Sequence, residues 1–307
     1  MRQYNRLSCS EPGARRIGLV AAWGRYPIIV AEELKKQGFD TYCLGVKEHA
    51  DEQALRPLVA DFRWIGLGAL GAAIRYFRRR QVTQATMAGK FQKRLLFHRL
   101  TWIKHLPDWT AIRTFYPHMI GTHGDRKDDT LLGTLIGAFE KVGIQFLPAT
   151  DFVPEILVKF AQLTRRAPTR AQRKDIEFGW RLAREMGRLD VGQSVAVKDR
   201  AVLAVEAIEG TDECIRRAGQ LCGGREFTVV KLAKPQQDMR FDVPTIGVGT
   251  LRSLSAAGGR VLAVEAGKTI VVDEPEVVAL ADQLGLAIVS LDEATALAGV
   301  EETESAA

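Results

Sequence analysis

The sequence is short of the residues that announce chemistry by themselves. Its four cysteines, Cys9, Cys43, Cys214 and Cys222, are scattered. No C-x-x-C pair joins any two of them, so neither a zinc site nor a disulfide framework is suggested, and a reducing compartment fits best. No window approaches the roughly eighteen consecutive apolar residues of a spanning helix. The opening MRQYNRLSCSEPGARR lacks the apolar core of a signal peptide and reads as a flexible tail, 1–16, on a cytoplasmic protein. The five histidines, His49, His98, His105, His118 and His123, show no H-E-x-x-H spacing, and no G-x-S-x-G elbow occurs. Gly24 follows a strand-like run, yet one glycine is far short of G-x-G-x-x-G and no Walker A lysine follows, so a dinucleotide site is poorly supported.

What is present is a soluble, globular composition: 307 residues, 46% apolar and 26% charged, enough for two domains. The net charge of +6 favours an anionic partner, whether a phosphate, a nucleic acid or an acidic membrane face. The five tryptophans are dispersed and the basic residues are not interleaved with aromatics, so no nucleic-acid partner is expected. One basic cluster, Arg75, Arg78, Arg79 and Arg80, ends a helical pattern beside Tyr76 and Phe77. It reads either as a solvated helix end that complements the dipole or as a patch attracted to a membrane surface.

From residue 17 strand and helix patterns alternate: IGLVAA, then PIIVAEELKKQG stopped by Gly38, then TYCLGV, FRWIGL, LGALGAAIRYFRRR and TQATMAG. Such alternation predicts β-α-β units, hence an α/β fold with a Rossmann-like parallel sheet whose ligand edge lies at the strand carboxyl ends. The loops there hold Trp23, Gly24 and Arg25, and Ala88, Gly89 and Lys90. A helix over DDTLLGTLIGAFEKVG and the strand QFLP close this half. The expected organisation is a Rossmann-like domain over 17–150, a compact mixed α/β domain over 151–292 and an acidic tail over 293–307. The second half reads as a helix (QRKDIEFGWRLAREMG), a hairpin around Asp199-Arg200, a helix from Thr211, the strand FTVVKLA, a helix (TLRSLSAAG), the strands VLAVEAG and TIVVD, and a helix (PEVVALADQLG).

Three stretches could carry chemistry. KPQQDMRFDVP joins FTVVKLA to the strand-like VPTIGV, and its prolines, Pro235 and Pro244, make it a shaped loop. Asp238 and Asp242 stand beside Lys234 and Arg240, the mixture that holds a divalent cation and an anionic oxygen together. A solvated loop with surface ion pairs explains the same letters. In EAIEGTDE, Glu209 ends a strand, Gly210 permits a turn and Thr211 opens a helix whose free N–H groups can receive a phosphate. Plain capping by Thr211, with Asp212 favoured by the dipole, is the alternative. In DRKDDT, Asp128 and Asp129 precede an apolar helix, again ordinary helix-start chemistry.

Seven blocks occur in one order: GLVAAWGRYP, MAGK, RKDDTLL, IEFGWRLAREMGRLDVGQSVAVKD, AVLAVEAIEGTDECIRR, KPQQDMRFDVPTIGV and VLAVEAGKTIVVD. Together they resemble the LpxI family of UDP-2,3-diacylglucosamine pyrophosphatases of lipid A synthesis. The resemblance implies a hydrolase that cleaves the substrate's diphosphate to the lipid sugar 1-phosphate and UMP, with Mg2+ or another divalent cation such as Mn2+. It makes the quoted loop the active-site loop, with Asp242, Asp238 and Lys234 catalytic and the metal on Asp242 assisted by Asp238 or Glu209. Substrate contacts carried over from the matching blocks are Gly24, Arg25, Gly89, Lys90, Asp128, Asp129, Gln193, Ser194, Glu209, Gly210, Thr211, Asp212 and Arg240. Trp23 departs from the small, glycine-rich turn usual in the family. The partners implied are the UDP-diacylglucosamine lipid and, transiently, the cytoplasmic face of the inner membrane, with a homo-oligomer left open. The rival readings are a non-catalytic nucleotide-sugar or lipid-binding protein and, on the first half alone, a nicotinamide-dependent oxidoreductase.

Overall fold

The computed structural model describes residues 15–90, 106–120 and 128–298, apart from the side chains of 116–120 and 128–131. Both predicted tails fall largely outside these residues. The chain divides into two compact units, residues 1–126 with 130–147, and residues 127–129 with 148–307.

The first unit is built on five parallel strands, β1 (Arg15–Ala21), β2 (Phe39–Val46), β3 (Asp61–Ile65), β4 (Gln84–Ala88) and β5 (Gln145–Phe146), in the order β3-β2-β1-β4-β5. Strand β1 is central and almost continuously buried, as expected of a parallel strand covered on both faces. Between the strands run α1 (Tyr26–Lys36), α2 (Glu52–Leu55), α3 (Leu70–Arg79), α4 (Trp109–Ile120) and α5 (Asp128–Glu140). Helix α1 starts with Pro27 in its first turn and ends in Lys35 and Lys36, the polarity that the dipole favours. Gly38 follows it at φ +77°. The order reverses between β1 and β4, so the carboxyl ends of these two strands form the switch point where ligands of open α/β sheets bind.

The second unit holds a six-stranded mixed sheet in the order β6-β13-β11-β9-β7-β8. Its strands are β6 (Ala161–Gln162), β7 (Ser194–Lys198), β8 (Ala201–Val205), β9 (Thr228–Lys231), β11 (Val261–Glu265) and β13 (Ala287–Leu291). Strands β9, β11 and β13 are parallel, while β6, β7 and β8 run antiparallel to their neighbours. Two short strands, β10 (Thr245–Ile246) and β12 (Ile270–Val271), pair with each other, and Ile270 also forms an antiparallel bridge with Leu157. One sheet face packs against α6 (Arg170–Arg188) through Ile176, Trp180, Ala183 and Met186. The other is covered by α7 (Thr211–Leu221), α8 (Val248–Ala256) and α9 (Glu274–Gln283), with Cys214, Ile215, Leu251, Leu254 and Val277 in the core. Residues 293–297, inside the stretch read as an acidic tail, form the short helix α10 with Asp292 accepting from the Thr295 N–H at 2.8 Å.

Local chemistry explains the boundaries. Thr169 and Gln172 form a reciprocal capping box at the start of α6. Asp199 and Arg200 both lie at positive φ in the β7–β8 turn, and their N–H groups donate to the Asp175 carboxylate at 3.2 and 2.7 Å. The hairpin read from the letters is therefore tied to α6.

The interaction that ties α6 to the carboxyl end of β11 is a buried ion pair. The Arg184 guanidinium donates to Glu265 at 2.7 and 3.1 Å, and both side chains are nearly enclosed. Burial alone would raise the Glu265 carboxyl, but hydrogen bonds from Arg184 and Lys268 outweigh it and hold the group below its usual range. The folded value thus lies below the unfolded one near about 4.3. The pair's contribution is full above that value and is lost as pH falls through the folded one. Glu265→Gln is expected to lower stability by about 3 kcal/mol in urea unfolding at neutral pH, because it leaves a buried guanidinium uncompensated. The gap between variant and parent should narrow in acid.

Candidate active site

The site is assembled where β9 ends. Ala233 leaves the strand between the two members of the buried pair: its N–H donates to Glu265 Oε2 at 3.2 Å, and its carbonyl accepts from Arg184 at 3.2 Å. Gly187, near the end of α6, lies against this turn, and a Cβ there would sit 3.0 Å from Pro235 Cδ and 3.3 Å from Lys234 Cα. The direction of the next residue is therefore set. Lys234 is largely buried, with Nζ 2.5 Å from Asp190 Oδ1 and 3.9 Å from Asp242 Oδ2.

The loop folds back on itself through the Gln237 N–H to the Lys234 carbonyl at 2.9 Å and the Phe241 N–H to the Asp238 carbonyl at 3.2 Å. Phe241 is buried as its apolar anchor. Arg240 engages both oxygens of Asp238, with Nη2–Oδ2 at 2.7 Å. Partial burial would raise the Asp238 carboxyl, but the bonds from Arg240 overcome this and hold it below the ordinary carboxylate range. Asp242 differs. Its side chain is 47% exposed, and its backbone sits at φ +53°, a left-handed conformation that costs a non-glycine residue about 1 kcal/mol and recurs at functional positions. Gln193 reaches it from the start of β7, with Nε2 3.3 Å from the Asp242 carbonyl and 3.4 Å from Oδ2. The fold thus gathers Asp190, Gln193, Lys234 and Asp242.

A second group lies one row further into the sheet. Ser194 faces Lys231 across the β7–β9 ladder, and the Glu206 N–H donates to the Ser194 carbonyl at 2.8 Å, so all three side chains share one face. Lys231, only 6% exposed, donates to the Thr211 hydroxyl at 2.6 Å, which in turn donates to Glu206 Oε1 at 3.0 Å. Glu206 Oε2 and Ser194 Oγ are buried and have no hydrogen-bond partner among the described residues. Thr211 begins α7 after Gly210 at φ +84°, and a Cβ at Gly192 would lie 2.1 Å from the Glu206 carbonyl. Glu209 forms an ion pair with Arg217 at 2.5 Å. Asp212 is exposed in the first turn of α7.

In the first unit, the Ala22 N–H donates to the Ala88 carbonyl at 2.9 Å, and Trp23 and Lys90 exchange backbone bonds of 3.2 and 2.9 Å. This ladder closes the β1–β4 switch point. Gly89 lies at φ +104° with room for no side chain, since a Cβ would meet Pro27 and the Ala22 backbone at 2.8 Å. Gly24 sits at φ +108°, Arg25 pairs with Glu32 at 3.2 Å, and Lys90 is exposed. Asp128 and Asp129 begin α5; their side chains lie outside those described.

Among the described residues, no three His, Cys, Asp or Glu side chains are gathered to hold a metal by themselves. The donor set suits a different mode. Magnesium commonly takes one or two carboxylates and completes its shell with water and substrate phosphates. The half-exposed Asp242 carboxylate, beside a lysine and an amide, fits that mode. Sequence reasoning missed Asp190, Arg184, Glu206, Lys231 and Glu265. Asp190, Arg184, Glu206 and Glu265 lie within the matching blocks without having been singled out, and Lys231 lies outside them.

A loop of cations and carboxylates at the carboxyl end of a parallel strand has the chemistry that suits phosphorylated ligands. Comparison with known proteins narrows the class. The LpxI N-terminal domain model matches residues 16–156 and the LpxI C-terminal domain model residues 159–289. UDP-2,3-diacylglucosamine pyrophosphatase LpxI of Caulobacter vibrioides is 31% identical over 285 residues, covering 91% of this chain and 98% of the relative. The chain belongs to the LpxI family, and it is a hydrolase.

Thr211→Val, which keeps the shape and removes the hydroxyl, should destabilise the protein by about 2 kcal/mol, because Lys231 and Glu206 both lose their shared partner. Thr211→Ser should restore most of it. Urea unfolding of the three proteins measures the difference.

Proposed function

We propose that the protein hydrolyses the diphosphate of UDP-2,3-diacylglucosamine to 2,3-diacylglucosamine 1-phosphate and UMP, a step of lipid A biosynthesis, with a divalent cation, Mg2+ or Mn2+, as cofactor. The observation that carries the reading is the meeting of Asp190 with Lys234 and Asp242 of a loop bonded at its start through Ala233 and at its end through the Ile270 N–H to the Pro244 carbonyl. The name of the Caulobacter relative supports it.

A diphosphate diester carries about two negative charges, and attack on it requires those charges to be balanced. Lys234 supplies a fixed cation whose position is set by Asp190, so little reorganisation is needed when the phosphate arrives. Asp242 would hold the divalent cation, which when bound would supply charge neutralisation at the diphosphate. Gln193 fixes the Asp242 side chain. Asp238, clasped by Arg240, keeps the shape of the loop. Water adds to the phosphorus on the sugar side, the bond from that phosphorus to the bridging oxygen breaks, and UMP leaves carrying the bridging oxygen, while the proton lost by the water balances the charge. The first-turn N–H groups of α7, which opens at Thr211 after Gly210, offer backbone donors to the substrate.

The substrate's two acyl chains reside in a bilayer. No helix of the described residues is long and apolar enough to cross one, so the enzyme works peripherally, from the cytoplasmic side.

Incubation with UDP-2,3-diacylglucosamine and magnesium should release UMP; binding of the lipid without UMP would instead mark a non-catalytic carrier. Asp242→Ala is expected to lower turnover about a hundredfold or more while circular dichroism stays unchanged, since an exposed loop carboxylate serves charge balance and not the core. Full activity in that variant would remove Asp242 from the site. Excess EDTA should stop the reaction and added magnesium restore it, and an unchanged rate in EDTA would exclude an exchangeable cation.

A further inference from the structure

The basic cluster at the end of α3 is a shaped cavity. Ala72, Arg75, Tyr76 and Arg79 of the helix, Arg80 at its end, and Arg63 from the edge strand β3 line an open cleft of about 430 Å³. Arg78 is exposed and does not line it. The cavity lies where β3 begins, at the opposite end of the sheet from Gly24 and Gly89. The Arg80 guanidinium is held by Asp61, the first residue of β3, at 2.5 Å, and the Arg80 carbonyl accepts from Arg16 at the start of β1 at 3.2 Å.

Four guanidiniums thus face one carboxylate. Arg63 and Arg80 both contact Asp61, at 3.8 and 2.5 Å, whereas Arg75 and Arg79 make no hydrogen bond or ion pair with any described residue. These two stand four apart on one helix face, where like charges repel. The helix dipole accounts for basic residues in the last turn, Arg78 and Arg79. It accounts for neither Arg75 nor Arg63. A bound oxyanion removes the repulsion, and guanidinium forks match phosphate geometry.

We infer that this cavity binds the phosphate of an anionic phospholipid headgroup and so docks the first unit on the membrane, an inference that rests on the lipid substrate proposed above. The ring contacts favour a headgroup over a nucleotide. Tyr76, the cavity's aromatic residue, has the Arg63 and Arg80 guanidiniums 5.1 and 5.9 Å from its ring centre and is itself buried, which leaves a nucleobase no open face to stack upon. The volume exceeds the need of a bare phosphate and accommodates the attached glycerol.

The test is cosedimentation of the full chain with vesicles of phosphatidylcholine and phosphatidylglycerol, three to one, against phosphatidylcholine alone. The parent should bind the anionic vesicles selectively, and Arg75→Gln with Arg79→Gln should weaken that binding about twenty-fivefold, the product of roughly fivefold for each basic residue held at an anionic surface. Arg79→Gln and Arg78→Gln remove the same charge. A clear loss in the former with little in the latter supports a shaped site, while equal losses, or full binding by the double variant, overturn it. Inorganic phosphate is titrated separately at matched ionic strength. Binding that depends on Arg75 and Arg79, without vesicle binding, would assign the cavity to a soluble phosphate and overturn the headgroup. UMP release in detergent micelles should be unaffected by these substitutions. Its absence in the parent would refute the proposed hydrolysis and leave the vesicle result to stand on its own.

Discussion

The second unit depends on the buried contact between Arg184 and Glu265. Neither residue touches the exposed part of the loop, yet the pair brackets Ala233 through both its backbone groups and so decides how the chain leaves β9. The lysine that follows immediately meets Asp190 and Asp242. A buried ion pair contributes little net stability once desolvation is counted. Its value here is geometric: a bidentate contact with no freedom to rotate transfers the rigidity of α6 and β11 to a segment that cannot form a ladder of its own.

The row formed by Glu206, Ser194, Lys231 and Thr211 supports the same edge of the sheet from the other face. Burying a lysine is tolerable when its charge is hydrogen bonded, and the Thr211 hydroxyl serves as acceptor for Lys231 and donor to Glu206. That arrangement joins the first residue of α7 to β9 and to the segment after β8. Two buried polar atoms of this row, Ser194 Oγ and Glu206 Oε2, have no hydrogen-bond partner among the described residues, as do Thr228 Oγ1 and Ser290 Oγ elsewhere in the sheet. Proteins accept such a deficit near sites that bind polar ligands.

Much of this was legible in the letters, for identifiable reasons. The parallel sheet of the first unit follows from regular alternation of apolar runs and amphipathic stretches, and the β7–β8 hairpin from Asp199-Arg200. Strand β13 has no counterpart in the sequence reading, because Ala287–Leu291 is a short apolar run without alternation, as suits a strand buried on both faces. The run VPTIGV looks like a strand of the main sheet, but only Thr245–Ile246 pairs, and with β12. Pro244 cannot donate to a ladder and Gly247 leads directly into α8. The loop was recognisable by its prolines and its mixture of charges. Its supports were not: Arg184 and Glu265 are 81 residues apart, and an arginine in an amphipathic helix reads as solvent-facing. Lys231 likewise reads as the polar member of an alternating strand. The arginine cavity lay half in view, since α3 announced its own cluster but nothing local could add Arg63 or set Arg78 aside.

If the ion pair acts by geometry, removing both charges together separates its two roles. Arg184→Met combined with Glu265→Met leaves no unpaired buried charge, and such replacements are commonly neutral or stabilising. Turnover of UDP-2,3-diacylglucosamine by this double variant, measured beside its unfolding midpoint, is the most direct test. The expected result is a protein as stable as the parent whose turnover falls at least about tenfold, because a small displacement of a positioned group costs that much or more. Parent-level turnover in a stable double variant would contradict the claim that the pair positions the loop.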